Sequence, residues 1–124
     1  HSSKEFALPI VEYASSLYWS GCFTCETLVL AMIYLDRLTK RNLDVEVSPH
    51  TCHRLLASCL LVATKYHQDN HNSNRFYAQL FQLSVQDLNA LERYALCVLG
   101  YFLVVDRREF EAYRRVLLRA GGQR

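Results

Sequence analysis

The apolar residues of this 124-residue chain recur at helical spacing along most of its length. The densest stretch runs from Leu55 to Lys65. Nine of its eleven residues are apolar or small, and its charge comes only at the end. Ser48-Pro49 stands just upstream. Serine is a good N-cap, and proline suits the first helical position because its missing N–H has no helical partner there. The spacing predicts a helix from about Ser48 to Tyr66. Its second half is apolar nearly all round, which predicts burial on every side. The apolar run is about half of the roughly 20 residues a membrane span needs. A helix surrounded by other helices is the reading that follows.

The remaining elements fall around it. Phe6, Ala7, Ile10, Ala14, Leu17 and Tyr18 predict a first helix over residues 4–18, which either starts near Leu8 or kinks at Pro9. Ser20-Gly21 ends it. Thr24 caps a second helix, with Leu28, Ala31, Met32, Leu35 and Leu38 as its stripe and Leu30, Ile33 and Tyr34 widening it. Asp36 lies beside this stripe and needs a partner if buried. Arg37 reads as an exposed cation near the helix C-terminus. Residues 40–47 form a polar turn. Residues 67–74 form a loop of turn-formers, followed by a short helix over residues 75–81 with Phe76 and Leu80 inward and Tyr77 a candidate beside them. Ser84 and Asp87 resemble a capping box, and Leu88, Leu91, Ala95, Val98 and Leu99 form the next stripe, stopped by Gly100. Tyr101 to Val105 reads as an extended apolar connector. Asp106 opens a last helix with Phe110, Tyr113, Val116 and Leu117 on one side. The sum is six helices and no convincing strand, an all-α globule built around a hydrophobic pair.

Composition agrees with one globular domain: 51% hydrophobic, 21% charged. The net charge of +2 argues against nucleic acid as the main partner, although the last helix is basic through Arg107, Arg108, Arg114, Arg115 and Arg119. Five cysteines, three of them in or beside apolar helical patterns, suit free thiols in an intracellular setting. Cys22 and Cys25 have CxxC spacing, but no second CxxC completes a metal site. His67 and His71 lack a cysteine partner. No signal-peptide or membrane pattern is present. His1-Ser2-Ser3 reads as a cloning remnant, and the chain as a domain cut from a longer protein.

No catalytic motif stands out. There is no G-x-S-x-G, H-E-x-x-H or P-loop pattern, and no cofactor, metal or small-molecule substrate is expected. A thiol nucleophile paired with histidine rests on the unpaired cysteines alone. The chain reads as a binding module.

Three segments carry a resemblance: Ile33-Tyr34-Leu35-Asp36-Arg37-Leu38, Leu55-Leu56-Ala57 through Ala63-Thr64-Lys65-Tyr66, and Leu91-Glu92-Arg93-Tyr94-Ala95-Leu96 through Leu99-Gly100-Tyr101. In order and interval they resemble a cyclin box, a fold of five helices with the third at the centre. Asp69, Asn74, Tyr77-Ala78 and Leu88-Asn89-Ala90-Leu91-Glu92 resemble the narrower single-box P/U-type group, which includes the yeast phosphate-response cyclins. The resemblance implies a box over residues 4–101, a connector and capping helix over 102–120, and a tail over 121–124. It implies nuclear or cytoplasmic residence and a regulatory, non-catalytic role: binding and activating a cyclin-dependent kinase through its PSTAIRE-type helix. Lys65 and Glu92 match the positions that contact that helix in cyclins. Tyr66, Phe76, Phe81 and Tyr94 are expected to supply apolar contact around them. Leu35, Asp36, Leu56, Leu60, Ala63, Leu91 and Leu99 are expected in the core.

Two departures stand out. The group's glycine pair after Tyr-Ala is replaced by Phe81-Gln82, which marks the local turn as unusual. The M-R-A-I-L motif of two-box cyclins is replaced by Ala7-Leu8-Pro9-Ile10-Val11-Glu12-Tyr13, so its docking patch is not expected. The arginine that would pair with Asp36 is missing too. The competing reading is a cyclin-fold adaptor in transcription or nucleic-acid binding, motivated by the basic last helix.

Overall fold

The structure, a computed structural model, describes residues 12, 13, 16, 17, 20–41 and 48–121. Five helices are given in full: α1 (Cys25–Arg41), α2 (Pro49–His67), α3 (Asn74–Phe81), α4 (Val85–Val98) and α5 (Arg107–Gly121). Glu12, Tyr13, Ser16, Leu17 and Ser20 are helical as well. Pro9, the rest of the first expected helix, the residues where M-R-A-I-L would stand up to Val11, and the turn at 42–47 lie outside the described residues. No strand occurs among the described residues.

Short polar side chains set the helix starts. Thr24 Oγ1 accepts from the Thr27 amide at 3.1 Å, and Ser48 Oγ accepts from Thr51 at 3.1 Å with Pro49 at the first position. Ser73 caps α3 through the Phe76 amide. Ser84 caps α4 through the Asp87 amide, and Asp106 takes the Arg108 amide at the start of α5. Each bond satisfies an otherwise orphaned donor and contributes about 1 kcal/mol.

The ends of α3 and α4 share one design. After α4, the Gly100 amide bonds Cys97 O and the Tyr101 amide bonds Leu96 O, with Gly100 at φ +65. After α3, the Gln82 amide bonds Gln79 O and the Leu83 amide bonds Ala78 O, with Gln82 at φ +60. Both are paired closures around a left-handed residue. The turn after α3 therefore keeps its form although glutamine occupies a position that favours glycine.

α1 and α2 pack along each other at the centre. α4 covers α2, α3 rests on α4, and α5 rests on α1. Every residue from Leu55 to Thr64 is buried. Its one serine is satisfied within the helix, as Ser58 Oγ donates to Leu55 O at 2.7 Å. Opposite it, Leu28, Ile33, Tyr34 and Leu38 of α1 are fully enclosed. Of the expected core residues, Leu35, Leu56, Leu60, Ala63 and Leu99 are buried, while Leu91 and Asp36 are half-buried. Leu91 is displaced for a geometric reason. The buried line of α4 is Leu88, Ala95 and Leu99, and at 100° per residue Leu91 stands about 60° to one side of it.

Three further expectations change. Phe81 is 1% exposed; it stacks on Phe23 and Tyr77 and belongs to the core, not to the surface. The pattern of α3 is rotated accordingly: Tyr77 is buried, and Phe76, expected inward, is 42% exposed. Arg37 is not a free surface cation. Its side chain is 17% exposed and its Nη2 lies 2.9 Å from Glu109 Oε1. No described helix is long and apolar enough to cross a membrane.

Candidate functional site

Two polar clusters interrupt the apolar body. The first lies where α2 ends. Lys65 sits in the last turn of α2, where a cation faces the negative end of the helix dipole. Glu92 projects from α4, about 40° from that helix's buried line on the side opposite Leu91. The two meet: Lys65 Nζ is 2.9 Å from Glu92 Oε2 and donates to Oε1 at 3.3 Å. Their side chains are 32% and 16% exposed, so the pair stands at the boundary between core and solvent.

Glu92 has a second donor. Asn74, the first residue of α3, donates from Nδ2 to Glu92 Oε1 at 3.2 Å and to Asn89 Oδ1 at 2.6 Å. Three helices therefore converge on one carboxylate. Sequence reasoning quoted Asn74 and Asn89 within a resemblance but gave them no role. Their spacing, at a helix start and one turn before Glu92, was the available signal.

The four aromatic residues expected around the pair differ in exposure. Tyr66, next to Lys65, is 52% exposed. Phe76, two residues after Asn74, is exposed and meets Tyr77 edge-on at 5.1 Å. Tyr94 is half-buried against the core. Phe81 is enclosed in the core. The exposed edge thus offers one cation, one carboxylate and two aromatic rings.

The second cluster joins α1, the connector and α5. Tyr113 donates to Asp36 Oδ2 at 2.5 Å, and Lys40 lies 3.0 Å from the same oxygen. Asp36 therefore finds its partner on the C-terminal helix. Arg37 Nη2 bonds Glu109 and also donates to Val104 O at 3.2 Å. Its guanidinium stands over the Phe102 ring at 5.9 Å. Tyr34 donates to Leu103 O at 2.7 Å, and Arg41 donates to Leu99 O at 2.8 Å. The connector is thus tied to α1 by side chains bonding its carbonyls. Phe102 and Val104 face outward while Leu103 and Val105 turn inward, the alternation of an extended segment. Burial holds the Tyr34 and Tyr113 phenols well above the ordinary tyrosine range, and the bond to Asp36 adds to the rise at Tyr113.

The chemistry of the thiols is unpromising for catalysis. The five cysteines are free. Burial pushes Cys59 up to about 12 and also raises Cys25 and Cys52, which keeps them as thiols near neutral pH. Among the described residues, no group of three or more His, Cys, Asp or Glu could hold a metal ion.

Comparison with known proteins follows the same lines. A family model described as Cyclin matches residues 1–103. Cyclin-P1-1 of Oryza sativa subsp. japonica is 32% identical over 108 residues, covering 87% of this chain and 41% of that protein. Cyclin-U1-1 of Arabidopsis thaliana is 31% identical over 113 residues, covering 91% of this chain and 54% of that protein. Cyclin-U4-1 of Arabidopsis thaliana is 30% identical over 113 residues, covering 91% and 56%. The chain spans about half the length of these relatives. No solved structure matches it significantly. Its all-helical architecture, the buried central α2 and the matched box together place this chain in the cyclin family.

Proposed function

We propose that this domain binds and activates a protein kinase of the cyclin-dependent class, acting as a regulatory subunit with no catalysis of its own. The observation that carries the reading is the Lys65–Glu92 pair at the exposed edge of α2 and α4, with Tyr66, next to Lys65 in sequence, and Phe76, two residues after Asn74, both exposed. A kinase is active when a lysine–glutamate pair and a metal-binding aspartate are aligned, and the position of its helix C controls that alignment. A partner that holds helix C in place biases a two-state equilibrium toward the active form. Lys65 supplies donors for carbonyls of a PSTAIRE-type helix, and Glu92 supplies an acceptor for its N–H groups. The exposed rings of Tyr66 and Phe76 supply apolar area around this polar centre. Residues 4–101 form the box in this reading, and 102–120 a connector and cap. The role places the protein in the nucleus or cytoplasm, where such kinases work.

The test is a pull-down and kinase assay with Lys65→Ala combined with Glu92→Ala. The variant is expected to stay folded and to lose both binding and activation. Wild-type binding and activation by that variant would refute the site.

A second reading, an adaptor for nucleic acid, is favoured by the outer face of α5, where Arg108, Arg115 and Arg119 are exposed. Phosphate contacts would give a steep salt slope in a mobility-shift series. Absence of binding near physiological salt removes this reading.

A further inference from the structure

We propose that Asn74 is a positioning residue for partner docking: it holds Glu92 so that Lys65 can turn toward a partner. The inference rests on the docking reading above. The geometry supplies the reason. The two carboxylate oxygens of Glu92 are not equivalent. Oε2 accepts from Lys65 at 2.9 Å. Oε1 accepts from both Lys65, at 3.3 Å, and Asn74, at 3.2 Å. Lys65 can therefore release Oε1 and keep Oε2, and neither oxygen is left bare.

That matters because Glu92 is only 16% exposed. An oxygen deprived of its donor in such a place costs more than a hydrogen bond is normally worth. An ammonium has three protons. With Asn74 present, the proton facing Oε1 is available to a carbonyl of a docking helix. Without Asn74, turning that proton outward would strip Oε1, and docking would carry the cost.

Asn89 completes the device. The Asn74 amide nitrogen has two hydrogens. One goes to Glu92 and the other to Asn89 Oδ1 at 2.6 Å. A carboxylate accepts only, so the nitrogen of Asn74 must face Glu92. The bond to Asn89 fixes the amide in that orientation from a second helix.

The test is a double-mutant cycle on the full chain. The probe is a monomeric cyclin-dependent kinase catalytic subunit with an intact PSTAIRE-type helix, titrated calorimetrically. Asn74→Ala is expected to weaken binding roughly tenfold, the factor for losing one hydrogen bond to a charged group. In a Lys65→Ala background the same change is expected to weaken binding much less, because no lysine is left to release and only the hold on Glu92 is lost. Equal weakening in both backgrounds would show a merely structural role and overturn the proposal, as would wild-type affinity for Asn74→Ala alone while Lys65→Ala binds weakly. If Lys65→Ala itself bound as wild type, the docking reading would fall instead. Asn74→Ala is expected to lower the melting temperature by less than about 5 °C. Should it fail to fold, Asn89→Ala serves: it releases the amide without removing it, and is expected to weaken docking about threefold, again mainly when Lys65 is present. No such dependence would overturn the proposal.

Discussion

At the seam of α1 and α5, Asp36 and Arg37 reach residues more than sixty positions away: Tyr113, Glu109 and the carbonyl of Val104. At the seam of α2, α3 and α4, Lys65 and Glu92 meet each other and Asn74 donates to Glu92. Both clusters contain a charged pair at 2.9 Å. They differ in where the cation stands. The Arg37 side chain is 17% exposed, covered by Phe102, and ties the connector down. The Lys65 side chain is 32% exposed, and Tyr66 beside it in sequence is exposed too. The first cluster turns its bonded donors inward, Arg37 Nη2 to Glu109 and Val104 O, with Arg37 Nη1 buried beside them without a partner among the described residues; the second stands where its donors can be turned outward. Similar ion-pair geometry thus serves cohesion in one place and, in our reading, recognition in the other.

Substitutions can break this contrast. Arg37→Ala is expected to have the largest effect on stability, about 2–3 kcal/mol in chemical denaturation, because it removes two hydrogen bonds and a ring contact at a half-buried site. A loss below about 0.5 kcal/mol, the scale of ordinary surface changes, would mean the C-terminal helix is not held by this cluster. Tyr113→Phe removes only the phenolic donor to Asp36, which keeps Lys40. About 1.5 kcal/mol is expected. Alkaline titration probes the same latch without mutation. Tyr34 and Tyr113 both have raised folded-state values, and each uses its proton as a donor. Their contribution is complete below the unfolded value of about 10 and is lost as pH rises from there through the folded values. Stability should fall over that window. Phenolate absorbance should show Tyr34 and Tyr113 titrating late, together with Tyr13, which burial also raises, and Tyr113→Phe should remove one of the three. Stability should depend less on the second cluster: Lys65→Ala bares one oxygen of the largely enclosed Glu92 and should cost about 1.5 kcal/mol, well short of the loss at Arg37. A larger loss would give that pair a structural duty like that of Arg37.

What the sequence discloses follows the range of the interactions. The central helix is legible because Leu55 to Ala63 is apolar on every face, a local pattern. Gly100 is legible as a stop because glycine is the residue that fits a left-handed closure. Gln82 makes the same closure and is not legible, since glutamine carries no such preference. That Asp36 needed a partner could be read from its place beside an apolar stripe. That Tyr113 provides it could not, since the contact spans 77 positions. Phe81 misleads for a related reason: one stacking partner, Phe23, lies before α1, and the near one, Tyr77, belongs to a face that the apolar pattern of α3 left undecided. At the candidate site, Lys65 and Glu92 stand out through family resemblance and not through spacing. Their mutual bond, and Asn74 between the helices, emerge only when three elements are brought together.

The most direct test sets the two clusters side by side in one binding experiment. Affinity for a cyclin-dependent kinase catalytic subunit would be measured for wild type, for Lys65→Ala with Glu92→Ala, and for Tyr113→Phe, each checked for folding. The expected result is a loss of at least about a hundredfold for the first variant, as for removal of an interfacial charged pair, and wild-type affinity for folded Tyr113→Phe. Wild-type affinity for the Lys65→Ala, Glu92→Ala variant would contradict the assignment of recognition to this edge.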